Sequence, residues 1–518
     1  MSAPTEEPVN RADEVQDLLD SVQSLLIPFI ASADADAATK HTGHGLQVPG
    51  GGPRTVLVEH HPPKKLESLL KDELSIAEEG TGKDGLMHVL EKVLQYSVNT
   101  WDQGFLDKLY ASTNAVGVVS ELVLAVLNTN VHVYQVSPAL TLIEKHTTKY
   151  LATLFGLPAS TSGGISQPGG SAANGTAIVV ARNTLYPDTK TQGNGSHKFT
   201  IFTSAHGHYS VEKAANLFGL GSQNVLSVPV DPLGQMIPAE LDRAILASKA
   251  RGETPLFVNA TAGTTVHGSF DPFAQLAPIC RAHGLWFHID GSWGGSVIFS
   301  HQHAATRLAG AHLADSITIN PHKMLGVPVT CSFLLGRDMR AFHSALTLPA
   351  SYLFHNTASS DPDTDTDTTT NPDEIFDLAD LTPQCGRRAD SLKLFLALKY
   401  HGPAYFSAHI TRAYQTATHL LALLTAHPDF VALSPDPLPC LQVCFYYARA
   451  GVLSPDAEVN SRATEGIVAR LGRRGFMVDF AEGERGKFFR VVVNGGTGRG
   501  TVEGLVKAVG ECAGELGF

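Results

Sequence analysis

A chain of 518 residues is too long for a single compact core, so two or three domains are expected. Hydrophobic residues make up 43% of it and charged residues 17%, the balance of an ordinary globular protein, and a net charge of −12 argues against non-specific nucleic-acid binding. Apolar residues never run uninterrupted for the length of a membrane span, the acidic stretch Met1–Glu7 lacks the apolar core of a signal peptide, and the six cysteines show no C-x-x-C spacing, so a cytoplasmic protein with free thiols and no membrane partner is expected.

Residues 1–130 read as a helical segment. Leu18, Leu19, Val22, Leu25, Leu26 and Phe29 fall at helix spacing, as do Leu86, Val89, Leu90, Val93 and Leu94. These stripes are packing surfaces, on the rest of the chain or on a second subunit. The Gly-rich stretch Thr42–Pro53 between them reads as a loop. From 131 to 395 short β-rich runs alternate with helical segments, the pattern of a mostly parallel sheet in a large α/β domain. The runs include Phe199–Thr203, Leu256–Ala260, Leu285–Ile289, Ser316–Ile319 and Ser332–Leu335. Residues 356–374 form an Asp/Thr-rich run that buries no apolar surface; it is a solvated loop or an active-site lid. Residues 396–518 read as a small C-terminal α/β domain, with strands near Leu441–Tyr447 and Phe488–Val493 and a helix at Ala389–Tyr400 leading into it.

Four of the β runs lead directly to reactive side chains. The first precedes His206 and His208, the second Thr261, the third Asp290 and the fourth Lys323. Side chains at the carboxyl ends of strands in one α/β sheet converge on one crevice. A lysine buried there has a lowered pKa and an amine free to condense with a carbonyl, although a lysine after a strand is more often a solvated surface residue. Asp290, beside Trp293, is placed to hold a ring nitrogen protonated, or simply to cap the following turn. His208 is placed to stack on an aromatic ring, or is a satisfied core histidine. Gln167-Pro-Gly-Gly-Ser-Ala-Ala-Asn-Gly-Thr opens a helical segment; its glycines and helix dipole suit a phosphate, and no P-loop lysine follows. The pairs His206/His208 and His301/His303 have no acidic or thiolate residues grouped with them, so no metal site is expected. A lysine for an imine, a carboxylate for a pyridinium, an imidazole for a ring face and a helix start for a phosphate together meet the needs of pyridoxal 5′-phosphate.

Asn320-Pro-His-Lys323, His288-Ile-Asp290-Gly-Ser-Trp-Gly-Gly, Thr261-Ala-Gly-Thr-Thr, His208-Tyr-Ser and Asn128-Thr-Asn130 resemble the group II pyridoxal-phosphate-dependent amino acid decarboxylases, in particular the glutamate, cysteine sulfinate and aspartate decarboxylases. The likeness runs from about Pro62 to Asn494. It implies a type I, aspartate-aminotransferase-like fold and a homodimer with shared active sites. By position it implies Lys323 as the Schiff-base lysine, Asp290 as partner of the pyridine nitrogen and His208 as the stacking ring. Thr261, Ser171, Ala172, Ser292, Asn320 and His322 would line the cofactor or its phosphate, and Arg490, Lys108 and Asn130 the substrate. Three departures from the family's pattern stand out. Ala173 replaces a small hydroxyl residue, and Leu106-Asp-Lys-Leu-Tyr110 replaces Phe-Asn-Gln-Leu-Ser. Phe376 falls where the family places a tyrosine thought to reprotonate Cα, with Tyr352 or His208 as other donors. The implied reaction is α-decarboxylation of an L-amino acid, with an acidic substrate first. The alternatives are decarboxylation with oxidative deamination to an aldehyde, aromatic amino acid decarboxylation, another pyridoxal-phosphate lyase reaction, or a non-catalytic partner subunit.

Overall fold

The computed structural model describes residues 10–48, 54–348 and 371–518. Tyr352 and residues 356–370 of the expected lid lie outside the described residues. The chain divides into two compact units, one drawn from residues 113–417 and 434–442, the other from residues up to 112, 418–433 and 443–518.

The larger unit is built on seven strands: β1 (Gly163–Gln167), β2 (Phe199–Ser204), β3 (Val225–Val228), β4 (Thr254–Thr261), β5 (Trp286–Gly291), β6 (Ser316–Ile319) and β7 (Ser332–Gly336). They lie in the order β1-β7-β6-β5-β4-β2-β3. Pairing is parallel from β3 across to β6, and β7 runs antiparallel to both β6 and β1. This is the mostly parallel α/β sheet expected. Every residue of β1, β5, β6 and β7 is buried, as in a sheet covered on both faces. Helix Gly170–Leu185 lies among them with Ala173–Ala181 buried without a break. Its small residues (Ala173, Ala177, Ala181) let it sit close to a core that includes Phe199, Phe257, Trp286 and Leu334.

The smaller unit carries a four-stranded sheet, β8 (Phe430–Ala432), β9 (Gln442–Tyr447), β10 (Asp479–Ala481) and β11 (Phe488–Val492), in the order β10-β11-β9-β8. The expected three-part division at 130/131 and 395/396 differs from these two units, because residues before 113 fold together with the C-terminal elements. One reason is Lys40, fully buried. Its Nζ lies 2.6 Å from Asp36 Oδ2 and 2.8 Å from Asp102 Oδ1, and donates to the Gly475 carbonyl at 2.6 Å. Burial, together with its hydrogen bond to Asp36, pushes the Asp102 carboxyl up to about 7. Burial acts on Asp36 in the same sense, but hydrogen bonds from Asp102 and Lys40 hold it below its ordinary value. The cluster is therefore near neutral, with one ammonium, one carboxylate and one proton shared between the acids.

Helix Arg11–Ala37 is long and apolar enough, by length and composition alone, to cross a membrane, although its apolar run is broken by polar residues such as Asp20, Ser21, Gln23 and Ser24. Its last turn supplies the buried Asp36, so that end belongs to the folded unit.

Candidate active site

Strands β6, β5, β4 and β2 are neighbours and parallel, so their carboxyl ends open on one sheet edge. Thr261 ends β4 in register with Asp290 on β5, and Asp290 is in register with Thr318 on β6. After β6, Asn320 turns the chain and Pro321 starts a one-turn helix, Pro321–Met324, that carries Lys323. After β2, the chain turns through His206-Gly-His208. The result is a cavity of about 270 Å3 lined by Lys323, Asp290, His208, Thr261, Ser171, Ser292, Asn320 and His322, eight of the residues expected from the sequence. Asn174, Tyr209, Gly263, Thr265 and Trp293 complete much of its wall.

The charges in this cavity are tuned by burial and by one another. Burial lowers the pKa of Lys323, and Asp290 only partly offsets this. Burial alone would raise Asp290, but hydrogen bonding from Ser292 and the nearby His208 and Lys323 bring it below its ordinary value. The Ser292 amide donates to Asp290 Oδ1 at 3.0 Å and Asn174 Nδ2 to Oδ2 at 2.9 Å. His208 is lowered by burial, and its Nδ1 accepts the Ser210 amide at 3.2 Å. Burial drives His322 down to about 4, so it is a neutral ring; the Cys331 amide lies 3.0 Å from its Nδ1.

The donor set fits pyridoxal phosphate. Thr261 Oγ1 and Asn320 Oδ1, both on the cavity wall, are buried with no hydrogen-bond partner among the described residues. Such atoms call for a polar ligand. Gly170 opens the helix behind Ser171, and a Cβ there would collide with Ser292 Oγ and come within 2.7 Å of Asn320 Nδ2. That cradle is left open beside the N-terminus of a 16-residue helix, where backbone N–H groups favour a phosphate. Because only the neutral amine condenses with an aldehyde, uptake of pyridoxal phosphate by apoenzyme should accelerate as pH rises. Its midpoint should lie clearly below the ordinary lysine value of 10.5, since the pKa of Lys323 is lowered. Stopped-flow absorbance across a pH series checks this; a midpoint at or above that value would contradict it.

The remaining expected residues lie elsewhere. Ala172 follows Ser171 on the helix but is not part of the cavity wall. Asn130 is engaged with the chain: its Oδ1 accepts the Arg387 amide at 2.8 Å. Phe376 lines a separate cavity of about 440 Å3 with Lys145, Met339 and Leu378. Lys145 Nζ sits 4.0 Å from the Phe376 ring centre and donates to the carbonyls of Asp373 and Ile375, pinning the segment there, and Tyr134 meets the ring edge-on. Arg490 and Lys108 belong to the other unit. There Asp479 Oδ2 accepts from Arg490 Nη2 at 2.6 Å and from Lys108 Nζ at 2.9 Å. Asn174 and Tyr209 were missed from sequence. Asn174 lies three residues after Ser171 on one helix, so helical spacing alone puts the two on one face.

A lysine, a carboxylate and an imidazole on one sheet edge, with a helix start beside them, define a pyridoxal-phosphate enzyme. A family model described as "Pyridoxal-dependent decarboxylase conserved domain" matches residues 63–448. The L-aspartate decarboxylase dtxS4 of Metarhizium robertsii is 52% identical over 505 residues, 98% of each chain. A glutamate decarboxylase-like protein of Gibberella zeae is 39% identical over 482 residues, 88% of this chain and 92% of that one. Among solved structures, mouse CSAD aligns with a TM-score of 0.83 at 30% identity, over 96% of this chain and 98% of that one. The chain belongs to the pyridoxal-dependent decarboxylases, takes pyridoxal 5′-phosphate and is a carboxy-lyase acting on an amino acid.

Proposed function

We propose that the substrate is a small acidic L-amino acid, L-aspartate first, and that the products are the corresponding amine and carbon dioxide. The observation that carries this reading is the likeness to two proteins named for acidic substrates, an L-aspartate decarboxylase at 52% identity and a glutamate decarboxylase-like protein at 39%. Lys108 and Arg490, the cations expected to meet such a substrate, share Asp479 in the smaller unit, and Lys108 also pairs with Asp107. The similarity to an L-aspartate decarboxylase supports the choice of aspartate.

Bound pyridoxal phosphate supplies an electron sink for the charge left when carbon dioxide departs. Lys323 provides the amine that anchors the cofactor, and its lowered pKa keeps that amine reactive. Asp290, held ionised, provides a fixed negative charge for a protonated ring nitrogen. His208 and Tyr209 offer exchangeable protons at the cavity wall. Trp293, buried, closes one side of the cavity against water.

A panel of aspartate, glutamate, cysteine sulfinate, tyrosine and tryptophan should give kcat/KM at least about tenfold higher for the acidic set, roughly 1.4 kcal/mol of discrimination. Amine should accumulate without hydrogen peroxide. An aromatic preference would overturn the substrate reading. Aldehyde with peroxide would favour the oxidative reading that Phe376 raises.

The homodimer expected from the resemblance is supported by helix Ala115–Leu127, which exposes Val118, Val119, Leu122, Val123, Val126 and Leu127 together. Leu122→Glu should shift the protein from dimer to monomer in light scattering; an unchanged mass would place the interface elsewhere. All six cysteines are unbridged, which supports a cytoplasmic setting.

A further inference from the structure

From Asp290 a chain of buried hydrogen bonds runs through Asn174, on the cavity wall, into the sheet. Asn174 Nδ2 donates to Asp290 Oδ2 at 2.9 Å. Asn174 Oδ1 takes the Thr318 hydroxyl at 2.9 Å and lies 3.1 Å from His288 Nε2. His288 Nδ1 lies 2.8 Å from Ser316 Oγ, and Trp286 Nε1 donates to that same oxygen at 2.8 Å. Asn174, His288, Ser316 and Thr318 are buried almost completely.

The direction of every bond is fixed by chemistry. A carboxylate only accepts, so the Asn174 amide must turn an N–H toward it. Asn174 Oδ1 must then accept, which puts the His288 proton on Nε2 and leaves Nδ1 bare. That bare nitrogen takes the Ser316 hydroxyl proton. The Ser316 oxygen is then free to accept from Trp286, whose indole can only donate. Burial holds His288 down to about 4, so the ring stays neutral. All the donors point one way and end on Asp290. The second N–H of Asn174 reaches Ser210 Oγ at 3.1 Å, next to the amide that fixes His208.

We propose that Asn174 is a positioning residue that holds Asp290 ionised and oriented for the ring nitrogen of the cofactor, with Thr318 and His288 fixing the sense of its amide. A neutral donor at this place stabilises a buried carboxylate without adding a charge that would compete with the pyridinium. An aspartate at 174 would instead place two carboxylates side by side and raise the pKa of Asp290.

The test uses the full-length holoenzyme. In Asn174→Asp the visible absorbance band of bound cofactor should titrate at a pH displaced by about one unit or more from wild type. kcat should fall at least about tenfold while KM stays within about twofold. Circular dichroism should remain that of the wild type. His288→Gln, which keeps a donor near the position of Nε2, should stay within about twofold of wild type, whereas His288→Leu should move the titration in the direction of Asn174→Asp. If Asn174→Asp does not fold, Thr318→Val, which removes one donor at nearly constant volume, should displace the titration in the same direction by a smaller amount. An unshifted titration in Asn174→Asp or Thr318→Val, or equal damage from His288→Gln and His288→Leu, would overturn the proposal.

Discussion

Lys323→Ala should abolish covalent capture of the cofactor and lower turnover by on the order of 10^4- to 10^6-fold, the scale seen when a covalent catalyst is removed. Lys323 is the lysine on the cavity wall. Borohydride reduction followed by mass spectrometry should therefore add one cofactor to the wild-type protein, at the peptide containing Lys323, and none to the variant. Labelling of a different lysine in the wild type would remove Lys323 from its role. Pyridoxal phosphate should still bind the variant without a covalent bond, since Ser171, Asn320, Thr261 and Asp290 remain.

Lys40→Met should destabilise the smaller unit by about 3–5 kcal/mol, because it leaves the buried carboxylate shared by Asp36 and Asp102 without its cation. The midpoint of denaturant unfolding followed by circular dichroism measures this. Replacing Lys40, Asp36 and Asp102 together with apolar residues of similar volume should cost much less, because no charge is then left buried. A single variant as stable as wild type would mean that water reaches the cluster and that its burial is only apparent.

Much of the larger unit was legible in the sequence because its chemistry sits at strand ends. The β-branched run before Lys323 and the apolar run before Asp290 announced β6 and β5, and Thr261 and His208 follow their strands in the same way. Two strands were not read. β1 is Gly-Gly-Ile-Ser-Gln, with little β-forming character, and β3 is a four-residue edge strand that is only partly buried. Of the residues carried over from the resemblance, Phe376 and Asn130 lie away from the cavity that holds Lys323. Phe376 is held in a different cavity by Lys145, and Asn130 serves the backbone at Arg387. Neither contact has a sequence signature, since each joins residues more than two hundred positions apart. Lys40 is the opposite case: nothing in its neighbourhood marks a lysine for complete burial, because the Gly475 carbonyl and the Phe476 ring that meet its ammonium lie more than four hundred residues away.

That last arrangement governs how the protein comes off the ribosome. Asp36, Lys40 and Asp102 are synthesised early, yet the carbonyl that completes their cluster is not translated until hundreds of residues later. In the interval all seven strands of the sheet carrying Lys323 and Asp290 have been translated. The buried cluster of the smaller unit therefore cannot be completed until the C-terminal part of the chain has been made.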